Sequence, residues 1–91
     1  MGVHAALKAQ TTLENVETVL AIELMCAAQG LDLRRPLRSS APIEAAHEVV
    51  RTQVSKLEHD RILHPDIVNT VSIIRSNRLL EAVESHIGPL A

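Results

Sequence analysis

Residues 47–51 read HEVVR. The stretch begins like the H-E-x-x-H helix, in which two histidines one turn apart bind zinc and the glutamate serves as base. Arg51 stands where the second histidine would be, so no ligand pair forms. His59, Asp60, His64 and Asp66 crowd a second short stretch. These side chains bind divalent metals, but their spacing matches no compact site, so solvated loop and cap residues are expected. His4 and His86 lie near the termini and are expected to be exposed. The three glycines are isolated, which leaves no phosphate-cradling loop and no nucleophile elbow.

Glu23 is the polar exception in the run VLAIELMCAA. A carboxylate set among apolar residues is costly unless paired or hydrogen-bonded. One reading is a buried ion pair with an arginine of a neighbouring segment, with Arg34 and Arg35 as candidates. The other is a catalytic base with a raised pKa. No His, Tyr or second acid stands at helical spacing from Glu23, so the structural pair is the expectation. Cys26, the single cysteine, cannot form an internal disulfide. Beside Met25 and Ala27 it reads as a small core residue, since a nucleophile needs access and a depressed pKa. Arg34, Arg35 and Arg38 form the basic cluster. It reads either as a phosphate or carboxylate clamp, or as cations at a helix C-terminus that serve carboxylates such as Asp32. The structural reading is favoured.

Composition limits the functions open to the chain. The 91 residues are 46% hydrophobic and 22% charged, with a net charge of −2, which fits a globular segment. Phe, Trp and Tyr are absent. The core must come from aliphatic residues, and no ring is present on which a base could stack. With mixed charge of slightly acidic balance, no nucleic-acid partner is expected. The N-terminal MGVHAALKAQ lacks the apolar core of a signal peptide, and the apolar run is far short of the ~20 residues of a membrane span. A soluble, cytoplasmic protein without a membrane partner is expected.

The elements that would carry these residues are all helices. Leu13, Val16, Leu20, Leu24, Ala27 and Leu31 recur at spacings of three and four, the helix period. The spacing predicts a first helix over about 2–29, ended by Gly30 in the left-handed conformation. Such a helix is roughly 42 Å long, whereas a compact chain of this size has a diameter of roughly 30 Å. Its excess surface should be covered by another chain, or by more of the same chain. A connector over 30–41 follows. The second helix is expected over about 42–57, with Ser40 as its cap. The third is expected over about 65–75 and a short fourth over about 78–86, capped by Ser76 or Asn77 and ended by Gly88. The fold class is all-α: a long N-terminal helix followed by three shorter ones, a helical-bundle fragment.

The words MGVHAALKA, ENVETVLAIELMCAAQGLDLR, LEHDRILHPDI and RSNRLLEAVE occur in this order. They resemble the C-terminal end of the aromatic amino acid ammonia-lyase family, most closely its histidine-acting members. The resemblance spans nearly the whole chain, and the second word is the specific one. It implies a large helical homotetramer that eliminates ammonia from an aromatic amino acid, for example turning histidine into urocanate. The family's electrophile is a methylidene-imidazolone made from an internal Ala-Ser-Gly, and its active sites include essential tyrosines. This sequence holds neither an Ala-Ser-Gly nor a tyrosine. By the resemblance it is a helical scaffold and oligomerisation segment, not catalytic alone and without a cofactor of its own. Its partners would be the remainder of such a lyase or further copies of itself. Glu23 aligns with a scaffold position. The alternative is a free-standing helical assembly module without enzymatic activity.

Overall fold

The computed structural model describes residues 2–90. Among them the chain forms four helices and no strand: α1 (Gly2–Leu33), α2 (Ala41–Arg51), α3 (His64–Arg75) and α4 (Arg78–Ile87). The all-α reading holds, and α3 and α4 lie within a residue of their expected bounds.

Helix α1 is 32 residues long. It contains six alanines and no proline, so nothing in its interior opposes the helical backbone. It passes through Gly30, where the sequence predicts an end. Gly30 does not take a positive φ; among the described glycines only Gly88 does, at 80°. The helix stops instead before Pro36, which has no N–H to donate and disfavours helix in the residue ahead of it. Three-residue turns close the end, with Arg34 N–H on the Leu31 carbonyl at 3.2 Å and Arg35 N–H on that of Asp32 at 3.3 Å.

Helix α2 is shorter than the expected 42–57. It ends at Arg51, and Thr52 folds its hydroxyl onto the Val49 carbonyl at 2.6 Å. Val54 is nevertheless buried, because the turn after α2 keeps it inward. Arg51 Nη1 donates to the Val54 carbonyl at 3.2 Å and holds that turn closed. Ser40 and Asn77 occupy N-cap positions, but neither side chain makes the capping bond. At α4 the Ser76 hydroxyl accepts from Arg78 N–H at 3.3 Å.

Helix α1 packs on α3, and α2 packs on α4. The buried apolar residues are few and small: Ala28, Val50 and Val54 form one cluster, with Leu24 and Leu79 against it. Ala21, Thr70 and Ile73 are also buried. The radius of gyration is 15.3 Å, against about 12 Å for a compact chain of this length. At 54 × 38 × 16 Å the molecule is a slab about two helix layers thick. Most of α1 before Ala21 is exposed, including Val3, Leu7, Leu13, Val16, Val19 and Leu20.

Candidate functional site

Two carboxylates organise the polar side of the molecule. Asp32 projects from the last turn of α1 toward α2. His47 Nε2 donates to its Oδ1 at 2.9 Å, while Arg51 Nε and Nη2 donate to its Oδ2 at 3.0 and 2.5 Å. His47 and Arg51 stand four residues apart on α2, so both point from one face. The pattern that begins like a zinc helix is therefore a carboxylate clamp. Burial alone would raise the Asp32 carboxyl, but the bonds from Arg51 and His47 outweigh it and hold it below its ordinary value.

Glu44 sits in the first turn of α2 and is buried. Arg35 meets it in a two-pronged pair at 3.0 and 2.6 Å. Ser39 N–H donates at 2.9 Å, and Arg38 lies 3.3 Å away. The Arg35 bonds, then the Ser39 amide, pull the Glu44 carboxyl down to about 2. This one side chain orders the connector between α1 and α2. Glu44 was not among the candidate site residues read from the sequence. Two arginines upstream of an acid that follows a helix-opening proline were the available signal.

Arg35 is thus paired with Glu44, and not with Glu23. Glu23 is exposed and makes no ion pair among the described residues, as is also true of Arg34. The reason is geometric: Glu23 and Arg34 are eleven positions apart along one continuous chain segment, roughly 16 Å as helix, beyond side-chain reach. Cys26, expected in the core, is exposed, because none of the four helices covers it.

Cys26 instead lies on an apolar groove of about 300 Å³ lined by Met25, Leu33, Val54, Leu57 and Leu63. One wall is pinned by Gln29, whose amide donates to the Leu57 carbonyl at 2.9 Å and accepts from its N–H at 3.1 Å. Arg61, in the connector before α3, donates to Asp66 in the first turn of that helix at 2.9 Å. No group of three or more His, Cys, Asp or Glu side chains with metal-holding geometry occurs among the described residues. Among the described residues no helix is long and apolar enough to cross a membrane.

These polar groups face one another, and the arrangement reads as mortar between helices. The family model described as aromatic amino acid lyase matches residues 1–52. The chain belongs to the aromatic amino acid lyase family. Similar proteins include the histidine ammonia-lyases of Sorangium cellulosum, 48% identical, and Gloeobacter violaceus, 49% identical. Each aligns over 99% of this chain and 18% of its own length. The histidine ammonia-lyase of Caenorhabditis elegans is 43% identical over 99% of this chain and 13% of its own length. The chain thus spans less than a fifth of the length of these lyases. No solved structure matches it. Both carboxylate clamps fall within or against the part matched as aromatic amino acid lyase.

Proposed function

We propose that the chain serves as a helical scaffold and oligomerisation segment of a histidine ammonia-lyase, the enzyme type that eliminates ammonia from L-histidine to give urocanate. The observation that carries the reading is collinear similarity to histidine ammonia-lyases over 99% of this chain. The wetted apolar length of α1 supports it, since such a surface belongs against other helices. These residues do not fit the family's methylidene-imidazolone. The sequence contains no Ala-Ser-Gly, and the carboxylates Asp32 and Glu44 are held by arginines. No catalytic step runs through this chain, whose place would be the cytoplasm with the rest of the lyase.

The test is to add the purified chain to L-histidine and follow urocanate absorbance. A flat trace is expected, and sustained turnover overturns the reading. The second reading is a free-standing assembly module, favoured by the same exposed face of α1. Light scattering tests its assembly: an oligomer is expected, and a clean monomer counts against it.

A further inference from the structure

Ser39 stands inside the Glu44 clamp with its hydroxyl unused. Its N–H donates to Glu44 Oε2 at 2.9 Å, while the residue is exposed and its Oγ makes no hydrogen bond among the described residues. Residues 37–40 are neither helix nor strand, and the neighbouring Ser40 is extended, at φ −62° and ψ 158°. Enzymes that modify a chain reach such exposed, unwound stretches most readily. Beside Ser39 opens a pocket of about 450 Å³, which it lines with Arg38, Glu44, Glu48 and His86. Arg34, Arg35 and Arg38 bring three positive charges to this corner, against the two carboxylates of Glu44 and Glu48. Arg34 makes no ion pair among the described residues. Arg38 has a side chain 64% exposed and reaches Glu44 only at 3.3 Å. Both can turn to a stronger anion.

We propose that Ser39 is a phosphorylation site, and that its phosphoryl group draws Arg38 and Arg35 from Glu44 and loosens the connector between α1 and α2. The inference does not depend on the lyase reading. The reaction is phosphoryl transfer from ATP by a serine kinase. Ser39 Oγ attacks the γ-phosphorus, the new O–P bond forms as the bond to ADP breaks, and the hydroxyl proton passes to the kinase's base. The product carries a charge of about −1.5 to −2 and three acceptor oxygens. An arginine takes such a group with two parallel bonds, as Arg35 now takes Glu44. Glu44 holds one charge in a largely buried side chain, and it already binds the Ser39 amide. A dianion on that same residue repels the carboxylate and competes for its guanidiniums at once.

The test incubates the purified chain with ATP and a serine kinase that selects arginine-flanked serines, then maps the phosphate by mass spectrometry. Phosphate is expected on Ser39 and is expected to vanish from that peptide in Ser39→Ala, whose exposed hydroxyl supports nothing in the fold. No phosphate, or phosphate on other residues alone, overturns the site. The phosphorylated chain is expected to melt about 4–8 °C below the unmodified one at neutral pH. Hydrogen exchange at the Ser39 amide should rise by about tenfold as its bond to Glu44 is lost. In Glu44→Gln no charged clamp is left to disturb, so phosphorylation should shift Tm by less than about 2 °C. An equal drop in both backgrounds, or a Ser39 amide that stays protected, overturns the loosening.

Discussion

The side-chain amide of Gln29 on α1 exchanges two hydrogen bonds with the backbone of Leu57, as a neighbouring peptide group would. It ties the irregular segment after α2 to the long helix where no secondary structure does. Gln29→Ala removes both partners and leaves the Leu57 N–H and carbonyl unsatisfied in a half-buried place. A loss of about 1–3 kcal/mol is expected, with faster hydrogen exchange concentrated at the Leu57 amide. Unchanged exchange there would contradict the tie.

Glu44 gives the fold an acid limit. Its carboxyl lies at about 2 in the folded chain, against 4.5 ordinarily. The unfolded state therefore binds more protons between these values. Its contribution is fully present above about 4.5 and is lost as pH falls toward about 2. Asp32, also lowered, acts in the same direction. Thermal melting should show Tm falling through this window, and Glu44→Gln should lower Tm at neutral pH while flattening the acid dependence.

The Asp32 clamp predicts a different local effect. In Asp32→Asn the Arg51 guanidinium loses its charged acceptor. The last turn of α1 should fray and stability should drop by about 1–2 kcal/mol. Amide exchange from Gly30 to Leu33 reports it. His47→Ala, which leaves the Arg51 pair in place, should have the smaller effect.

Ile73 is among the largest fully buried side chains. Ile73→Ala should cost about 2–5 kcal/mol, a large part of what so small a core can supply. Cooperative melting followed by circular dichroism should be lost. Leu13→Ser, on the exposed side of α1, should leave monomer melting nearly unchanged.

Helix number and type were legible in the apolar spacing because each element repeats its pattern over at least two turns. The ends were not. Gly30 is an ordinary helical residue here, and the segment after Arg51, expected to continue the second helix, is a turn that keeps Val54 inward as a continued helix would. The ion pairs were half legible. Arg35 and Arg38 do serve a carboxylate, as the structural reading of the basic cluster supposed, but that carboxylate is Glu44. Asp32 draws its hydrogen-bond donors from His47 and Arg51, fifteen and nineteen positions on. One-dimensional spacing cannot tell which carboxylate an arginine will meet once the chain turns at Pro36. Cys26 was misplaced for another reason: apolar neighbours in sequence do not bury a residue unless other elements come to cover it.

The supports of α1 are unevenly placed. Going from the N-terminus, the first link to the rest of the molecule is the Glu17–Arg75 ion pair, then the buried Ala21 and Ala28, and last the Asp32 clamp. The stretch from Gly2 to Val16 overhangs these supports by roughly 22 Å. It is a cantilever, and angular play at the clamp is magnified along it. A tilt of about 10° at the supports carries the free tip through about 4 Å, roughly three-quarters of a helical turn's rise. The residues that decide where the tip comes to rest therefore sit in the C-terminal half of the helix, from Glu17 to Asp32.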